Sequence, residues 1–322
     1  MKCRVCRQPA VIDIRRHNAN FCIDHLVRHC RQQVERAIDE FKMFGPDDRL
    51  LVAVSGGKDS LAAWDLLNDL GYEADGLYVG LGIGEYSDAS LHHARTFAQQ
   101  RELKLNEVDL VSEHGFGVRE AATATGRVPC SACGLAKRHI FDAATVAGNY
   151  DAIVTGHNLD DEAAVLYGNT LRWNVDYLGR QRPVLPATNG FPRKVKPLVR
   201  MGEREMAAYC VVKGIDYLVD ECPMAVGNSH IGYKEALNRL EAESPGTKAA
   251  FYFGFLKNAV DRFDTRTETD EMQRCSSCGA PSTNDVCAFC RLEHRVTSAA
   301  TLASPQPVAI STPANETTNG SS

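Results

Sequence analysis

The sequence predicts an α/β protein with a doubly wound parallel sheet, flanked by two small cysteine-rich units. Strand-like apolar runs alternate with helix-like patterns between residues 36 and 265, and this alternation is typical of parallel sheets. Cysteine pairs with two intervening residues occur near both ends of the chain, at 1–35 and at 274–296. Residues 297–322 are rich in Ser, Thr, Ala and Pro. We expect this tail to be disordered because it can bury too little apolar surface to offset its ordering entropy.

The elements of the central domain follow from the spacing of its apolar residues. The predicted strands are Leu50–Val54, Gly76–Val79, Lys104–Val108 and Ala152–Thr155. The predicted helices are Leu61–Leu70, Ser90–Arg101, Lys137–Ala147 and Asp160–Leu171. Ser55, the loop 80–86 and Gly156 each come directly after a strand. We therefore expect them to meet at the carboxyl edge of the sheet, where α/β proteins bind their ligands.

Composition and charge exclude several classes of protein. Hydrophobic residues make up 44% of the 322 residues and charged residues 24%, which is ordinary for a soluble domain. We find no apolar run that could span a bilayer and no apolar leader, so we expect a cytoplasmic protein without a membrane anchor. The net charge of −5 argues against a uniformly basic nucleic-acid binder.

Two stretches are nevertheless basic. Residues 1–36 hold eight Lys or Arg against three Asp or Glu, and residues 171–200 hold seven against one. Two basic patches on an acidic body suit a polyanion that docks in one orientation. The alternative is a solvated surface with chance clustering of charge.

Between the first predicted strand and the first predicted helix lies the segment Ser55-Gly56-Gly57-Lys58-Asp59-Ser60. A glycine turn before a helix directs backbone N–H groups and the positive end of the helix dipole at an anion. The G-x-x-x-x-G-K-[ST] spacing of the Walker A loop is absent. The segment instead resembles the PP-loop, which binds the pyrophosphate end of ATP in enzymes that cleave ATP to AMP and pyrophosphate. The alternative, an ordinary glycine turn, does not account for the lysine, aspartate and two hydroxyls within six residues.

The cysteines sort into three sites, and twelve cysteines in a cytoplasmic chain indicate metal or redox chemistry before disulfides. Two sets have the paired spacing of closed, tetrahedral zinc sites. They are Cys3, Cys6, Cys22 and His25, and Cys275, Cys278, Cys287 and Cys290. His17 is an alternative to His25, but its spacing does not fit. Each unit is too short to hold a core without metal, so we expect chelation to unfold it. Such units are either nucleic-acid contacts or structural supports.

The third set, Cys130, Cys133 and Cys222, matches no closed zinc site. Three thiolates can hold a [4Fe–4S] cluster that leaves one iron open, or they can act as a catalytic thiol pair with a third thiol. A third zinc site completed by His139 or His157 is the alternative.

In combination, the PP-loop, the two zinc-type units and the three further cysteines resemble the TtcA/TtuA family of tRNA 2-thiolation enzymes, and within it the TtuA branch. Further matching stretches are Gly82–Ser87, Pro129–Arg138, Thr155–Glu162, Tyr233–Asn238 and Ser244–Lys248. The resemblance covers the chain up to residue 296, everything but the tail. It implies a PP-loop ATPase domain of the adenine nucleotide α-hydrolase type, flanked by zinc-finger units that TtcA itself lacks.

The resemblance also implies a reaction. ATP adenylates O2 of a uridine in tRNA, and sulfur then replaces the adenylated oxygen. In the TtuA branch the sulfur comes from a ubiquitin-like carrier with a C-terminal thiocarboxylate. The implied cofactors are ATP, Mg²⁺, a [4Fe–4S] cluster and two Zn²⁺, the implied partners are tRNA and the carrier, and the implied assembly is a homodimer. The expected target is uridine 54 in the T-loop, as in the TtuA branch, and the alternative is uridine 34 at the wobble position.

Binding roles follow from the matching positions. The PP-loop is expected to hold the phosphates of ATP, with Ala53 and Val79 beside the adenine and ribose, and Gly156 is expected to let the backbone approach the nucleotide. The expected phosphate contacts of the tRNA are the N-terminal arginines together with Arg193, Lys194, Lys196 and Arg200. Binding would then depend strongly on salt.

Catalytic roles are assigned in the same way. Cys130, Cys133 and Cys222 are expected to handle the sulfur, and Lys137, one helical turn beyond Cys133, to stabilise charge as the adenylate forms. Asp161 is expected to hold magnesium or to act as general base on the uridine N3–H. The alternative is that this carboxylate only caps a helix.

Two other functions remain open. A PP-loop ligase that delivers ammonia or an amine, such as lysidine or NAD synthetase, would not need the three clustered cysteines. A zinc-ribbon RNA-binding protein that uses ATP as a conformational switch would form no AMP and pyrophosphate in the presence of tRNA and a sulfur source.

Overall fold

The computed structural model describes residues 1–225, 229–264 and 272–303. The strands are β1 Ile12–Ile14, β2 Ala19–Phe21, β3 Leu50–Val54, β4 Ala74–Gly80, β5 Leu105–Asp109, β6 Ala152–Thr155, β7 Val184–Leu185, β8 Arg193–Val195, β9 Gln273–Arg274 and β10 Pro281–Ser282. The helices are α1 Ile23–Phe41, α2 Lys58–Asp69, α3 Glu85–Gln100, α4 Leu110–His114, α5 Val118–Thr125, α6 Pro129–Ala147, α7 Leu159–Leu171, α8 Val175–Leu178, α9 Glu203–Lys213, α10 Ser229–Glu243, α11 Thr247–Asn258 and α12 Ala288–Ala303. Within these ranges no helix is long and apolar enough to cross a bilayer.

A six-stranded sheet in the order β5-β4-β3-β6-β8-β7 forms the centre of the molecule. All neighbouring strands are parallel except β7, which pairs antiparallel with β8 at the edge. The chain runs from β3 outward to β5 and then returns to place β6 on the other side of β3. The order therefore reverses between β3 and β6, which is where open α/β sheets bind ligands. The predicted doubly wound α/β fold is confirmed.

Both faces of the sheet are covered, as the nearly continuous apolar strands require. Leu50, Val52 and Val54 of β3 belong to a core with α1, α2, α7 and α9. Leu51 of β3 belongs to a second core with α5, α6 and α12, which includes Phe116. This alternation follows from the two-residue period of a strand.

Several element boundaries differ from their predicted positions. The helix α2 begins at Lys58, within the PP-loop motif, and α6 begins at Pro129, so Cys130 and Cys133 lie on a helix. Proline fits the first helical position because its missing N–H has no partner there. At the other end, α12 continues to Ala303. The tail that we expected to be disordered from residue 297 therefore begins with helix, and residues 304–322 lie outside the described part.

The N-terminal unit is joined to the central domain through a buried carboxylate. Glu205 of α9 accepts hydrogen bonds from Arg16 at 2.5 Å and from the backbone N–H of Gly202 at 2.6 Å, and it lies 3.1 Å from His29 Nε2. Arg16 also donates to the carbonyl oxygen of Arg200 at 2.7 Å. Burial raises the pKa of Glu205, but His29 and Arg16 outweigh it, so the pKa lies below its ordinary value.

We predict that Glu205→Gln lowers the free energy of unfolding by about 3 kcal/mol, because it leaves Arg16, whose side chain is only 10% exposed, without its counter-charge. Urea denaturation at neutral pH measures the change. The lowered pKa means that the ionised form stabilises the fold. The contribution is complete at neutral pH and is lost as the pH falls through and below about 4.3, the ordinary value for glutamate.

The matched control is Glu40→Gln. Glu40 pairs with Arg200, but its side chain is 42% exposed against 5% for Glu205. Because the carboxylate of this pair is exposed to solvent, we expect the pair to contribute less than about 1 kcal/mol. Equal losses in the two variants would contradict the buried connection.

Candidate active site

The PP-loop connects β3 to α2 and is closed by its own hydroxyl groups. The Ser60 hydroxyl accepts a hydrogen bond from the Ser55 N–H at 3.0 Å and donates one to the Gly57 carbonyl oxygen at 3.0 Å. The hydroxyl oxygens of Ser55 and Ser60 lie 3.2 Å apart. Because α2 begins directly after Gly57, its first N–H groups face this turn and can bind an anion.

Two glycines allow backbones to approach where a side chain would not fit. Gly56 has φ +74°, and a Cβ there would lie 2.3 Å from the Ser90 carbonyl oxygen in α3. A Cβ on Gly156, after β6, would lie 2.8 Å from backbone atoms of Asp59 and Ser60 in α2. We expected Gly156 to make room for the nucleotide. In the structure its open side faces the first turn of α2, so it allows β6 to pack against the PP-loop helix.

Four residues predicted to contact ATP line one cavity of about 60 Å³ beside the PP-loop. Ala53 and Ser55 come from the end of β3, Val79 from β4 and Lys137 from α6, and Tyr86 of α3 lies next to them. Lys137 is thus placed beside the PP-loop, as its position in the sequence predicted. Pockets for drug-sized ligands have about 300–1,000 Å³, so a nucleotide bound here has to extend beyond this cavity.

Salt bridges connect the PP-loop lysine to α9 and α10. Lys58 Nζ lies 3.1 Å from the Asp59 carboxylate and 2.8 Å from that of Glu203. Lys234 Nζ lies 3.4 Å from the second oxygen of Glu203 and 2.6 Å from Asp161. Burial lowers the pKa of Lys58, but the carboxylates of Asp59 and Glu203 outweigh it and raise the pKa above its ordinary value. Lys58 is therefore a cation at physiological pH.

Asp161 has two partners, one for each carboxylate oxygen. Oδ2 accepts from the Asn158 N–H at 3.1 Å, while Asn158 Oδ1 accepts from the N–H groups of Asp160 and Asp161 at 2.9 and 3.2 Å. This is a capping box, so the alternative of a capping role is partly correct. Oδ1 faces Lys234. Burial raises the pKa of Asp161, but the ammonium of Lys234 outweighs it, and the pKa is lowered overall.

Cys130, Cys133 and Cys222 approach one another near Lys137. Cys130 and Cys133 are one helical turn apart at the start of α6, and the Cys130 sulfur lies 3.8 Å from the Met224 carbonyl oxygen, two residues beyond Cys222. Burial raises the pKa of Cys133, Lys137 lowers it, and Cys222 and Cys130 raise it, with a net increase. Such mutual charge effects require short distances.

A zinc ion does not fit these three cysteines. Among the described residues, they form no group with each other or with a histidine or carboxylate in which all ligand atoms lie within 4.8 Å. His139 stacks on Phe289 with ring centroids 4.2 Å apart, and His157 Nδ1 lies 2.8 Å from the Thr155 hydroxyl. Both candidate histidines are therefore engaged elsewhere. A cluster of four irons separates its thiolates more widely than a single ion does.

The two zinc-type sets do converge. Each set brings its four ligand atoms within 4.8 Å of one another. In the first set, Cys22 Sγ lies 3.1 Å from His25 Nδ1 and 3.6 Å from Cys6 Sγ. His17 instead groups with His29 and Glu205, so His25 is the fourth ligand atom of this set. The donor sets, three thiols with an imidazole and four thiols, are those of structural zinc.

The four cations predicted to contact phosphates between residues 193 and 200 each form a salt bridge with a carboxylate of the fold. The pairs are Arg193 with Asp48, Lys194 with Asp142, Lys196 with Glu162 and Arg200 with Glu40. Each partner lies more than 30 residues away in the sequence, so the basic stretch alone could not reveal them. Of the N-terminal arginines, Arg15 is exposed and forms no salt bridge within the described ranges.

A cleft of about 970 Å³ adjoins the PP-loop and connects the sites described above. Its lining includes Arg15 of the N-terminal unit, Lys58 of the PP-loop, Cys222 and Tyr86. Sequence analysis assigned no role to Glu203, Arg204, Lys234 or Tyr86. Lys234 and Tyr86 lie within stretches that support the family resemblance, whereas Glu203 and Arg204 belong to no motif.

The class of protein is defined by the glycine loop, by the order of the strands and by the cleft beside the point where that order reverses. Residues 28–228 match the family model described as a PP-loop domain, so this is a PP-loop ATP-binding protein. Residues 2–27 match the model described as the N-terminal LIM domain of the 2-thiouridine synthetase TtuA.

Relatives identify the family within this class. The chain is 48% identical over 292 residues to the tRNA-5-methyluridine(54) 2-sulfurtransferase of Thermus thermophilus, covering 91% of each chain. It is 40% identical over 291 residues to the enzyme of the same name from Pyrococcus horikoshii, covering 90% of this chain and 93% of that one. The chain belongs to the TtuA family of tRNA 2-sulfurtransferases.

A solved structure shares the fold. The U34-tRNA thiolase NcsA from Methanococcus maripaludis, determined with its [4Fe–4S] cluster, superposes with a TM-score of 0.77. The match covers 91% of this chain and 96% of that chain at 23% sequence identity.

We predict that Gly56→Ala abolishes ATP binding. A methyl group at φ +74° cannot avoid the Ser90 carbonyl oxygen, so the PP-loop has to move. Equilibrium dialysis with labelled ATP measures the effect, and we expect an affinity loss of at least about 100-fold from displacing a preorganised anion site.

Gly71→Ala serves as the control, because Gly71 also has positive φ (+90°) but no atom lies within 4 Å of the added Cβ. In this variant only backbone strain lowers the free energy of unfolding, by about 1–2 kcal/mol. It should bind ATP normally. Normal ATP binding by Gly56→Ala would show that the contact with α3 does not shape the loop.

Proposed function

We propose that this protein replaces O2 of uridine 54 in tRNA with sulfur, at the expense of ATP. The observation that carries this proposal is the position of the PP-loop, Lys137 and Cys222 around two cavities that share Tyr86, with Cys130 and Cys133 close to Cys222. The two relatives at 48% and 40% identity, both named for position 54, support this choice of target.

In the first step the uracil O2 attacks the α-phosphorus of ATP. The bond between the α-phosphorus and the bridging oxygen breaks, and pyrophosphate leaves with its electron pair. The PP-loop amides and Lys58 stabilise the charge on the phosphates, while Ala53 and Val79 border the adenosine. Lys137, between the PP-loop and Cys133, stabilises charge at the α-phosphate.

In the second step a sulfur nucleophile attacks C2 of the adenylated base. The bond between C2 and the oxygen breaks, and AMP leaves with that oxygen. A pyrimidine carbonyl is a poor electrophile until its oxygen becomes such a leaving group. With hydrosulfide as the nucleophile, the proton on sulfur is lost, and the product is neutral 2-thiouridine with its proton on N3.

We assign Mg²⁺ to Asp59 and Asp161. The Asn158 side chain donates to Asp59 at 3.1 Å and its backbone N–H donates to Asp161 at 3.1 Å, which holds the two carboxylates close together. Burial and the charge of Asp161 raise the pKa of Asp59, as expected where two carboxylates share a site and a cation would relieve the repulsion. The lowered pKa of Asp161 favours a metal ligand over a general base, whose pKa should lie near the working pH.

Cys130, Cys133 and Cys222 would hold the [4Fe–4S] cluster, since the donor set of three thiols fits a cluster and does not fit a closed zinc site. When bound, the cluster would supply an open iron position that keeps a sulfur nucleophile close to the base and away from water. The two converged sets at the chain ends would each hold a structural Zn²⁺.

The remaining assignments follow from the family. A ubiquitin-like carrier is the proposed sulfur source, since hydrolysis of its thiocarboxylate yields hydrosulfide and a carboxylate. We propose a homodimer. A cytoplasmic location agrees with twelve free cysteines, which require a reducing compartment, and with relatives named cytoplasmic tRNA 2-thiolation protein 1.

The test of this function is nucleoside mass spectrometry of tRNA from cells with and without the gene. We predict that 2-thio-5-methyluridine disappears in the deletion strain. Loss of a 5-substituted 2-thiouridine would instead assign the wobble position 34. An unchanged thionucleoside profile in a strain without a second such gene would refute thiolation.

We further predict that Cys130→Ala abolishes thiolation but leaves the affinity for ATP within about twofold of wild type, since the PP-loop does not include this residue. Measurements of ATP binding and of thiolation with inorganic sulfide check both parts, and the iron content should fall. The control is Cys30→Ala, because Cys30 is buried in α1 and belongs to none of the three sets. Full activity of Cys130→Ala would place the sulfur chemistry elsewhere.

A further inference from the structure

Tyr86 borders two cavities at once. It lies in the first turn of α3 and lines both the small cavity beside Lys137 and the large cleft beside Lys58 and Cys222. Its ring is half-buried, and within the described part of the chain its hydroxyl forms no hydrogen bond. Burial raises its pKa and the charge of Cys222 raises it further, which places the ring close to the thiols. The ring therefore faces the site without being fixed by polar contacts.

This position matters because both chemical steps use the same uracil. O2 has to reach the phosphate on the PP-loop, and C2 has to reach the sulfur near the cysteines. A base at the boundary of the two cavities can meet both, and Tyr86 lies at that boundary. The large cleft, at about 970 Å³, falls within the roughly 300–1,000 Å³ range of pockets that enclose whole ligands.

A base inside folded RNA cannot reach such a cleft without leaving its stack. Enzymes that modify bases extrude them, and aromatic rings then replace the lost stacking. Tyr86 offers a ring face of this kind beside the reacting groups.

The charges around the cleft give the bound nucleotide a direction. Arg15 and Arg204 line the cleft, are exposed, and form no salt bridge in the ranges that the structure describes. Arg15 is fixed by donating to the Ala242 carbonyl oxygen at 3.0 Å. Asp59, Asp160, Glu203 and Glu205 in the cleft lining pair with cations. Asp220 and Glu221, beside Cys222, form no salt bridge in the described residues and repel phosphate. RNA phosphates are thereby directed toward the two arginines, and the base can extend toward Tyr86.

We propose that Tyr86 stacks on the extruded target uracil at the junction of the two cavities, while Arg15 and Arg204 contact the flanking phosphates. This inference rests on the proposed function, because it concerns the RNA substrate of the same site.

The experiment compares two T-arm hairpin RNAs, one with uridine and one with an abasic nucleotide at the target position. Fluorescence anisotropy gives their dissociation constants for the full-length protein. We expect wild type to bind the uridine hairpin about 10- to 100-fold more tightly, the range that loss of one stacked base produces. Tyr86→Ala should reduce this ratio to about 1 without changing the affinity for the abasic hairpin, and Tyr86→Phe should keep the ratio.

The control is Tyr177→Ala, an exposed tyrosine in α8 that lines neither cavity, and it should keep the wild-type ratio. Unchanged binding of the abasic hairpin shows that Tyr86→Ala is folded. Retention of the uridine preference in Tyr86→Ala would overturn the proposal. An equal loss of ATP affinity in Tyr86→Ala would also overturn it by assigning the ring to the adenosine.

Thiolation assays of the same hairpins separate the remaining explanations. With inorganic sulfide as the donor, Tyr86→Ala should be as defective as with the carrier protein. A defect restricted to the carrier would overturn the proposal, because the cleft would then receive the carrier's C-terminal peptide. If wild type itself fails to thiolate the uridine hairpin, the proposed target position is wrong, whereas the binding ratio still decides the role of Tyr86.

Discussion

The first turn of α9 connects the elements that surround the PP-loop. Glu203 binds Lys58 of α2 and Lys234 of α10 through its two carboxylate oxygens, and its own N–H donates to Asp160 of α7 at 3.0 Å. Two residues later, Glu205 binds the N-terminal unit. Carboxylates are favourable at a helix N-terminus because they lie near the positive end of the helix dipole. One helical turn therefore fixes the cations of the phosphate site relative to the N-terminal unit that borders the cleft.

The two cysteine-rich units contribute differently to this arrangement. The N-terminal unit supplies residues to the cleft, including Arg15. The C-terminal unit packs on α5 and α6, where Phe289 stacks on His139, and Glu293 lies 2.8 Å from His114 at the end of α4. Since α6 also carries Cys130, Cys133 and Lys137, the C-terminal unit stabilises the helix that presents them. Folding of this unit and positioning of the thiols are thereby coupled.

Sequence analysis predicted the elements and ligand sets that depend on local patterns. It missed the features that depend on contacts with residues far away in the chain. Strand and helix alternation predicted the sheet, because apolar periodicity reflects burial directly. The paired cysteines predicted both converged ligand sets because short spacings place both ligands in one turn. The start of α6 was missed because Pro129 to Gly134 contain few strong helix formers, and tertiary packing overrides that weak preference.

The basic residues between 171 and 200 show the same limit of sequence analysis, because their partners are remote in the sequence. A count of seven basic residues between 171 and 200 indicates an RNA surface, yet Lys196 pairs with the buried Glu162, which also accepts from Gln181 and Tyr252 at 3.1 Å each. A carboxylate buried at such a site needs a cation and hydrogen-bond donors to offset its desolvation. The charge of this lysine therefore compensates a carboxylate of the fold.

The difference between cations that pair with carboxylates and cations that do not explains how an acidic protein can select a polyanion. Of the cations that line the cleft, Arg16, Lys58 and Lys248 pair with carboxylates, whereas Arg15 and Arg204 form no salt bridge within the described residues and remain to contact phosphates. Counterion release scales with the number of phosphates neutralised, and a small number gives weak, orientation-dependent attraction. Recognition must then come from contacts that depend on the shape of the RNA and on the exposed base. A cleft that joins an aromatic ring, the PP-loop and a reactive thiol selects an RNA that can place one nucleotide inside it.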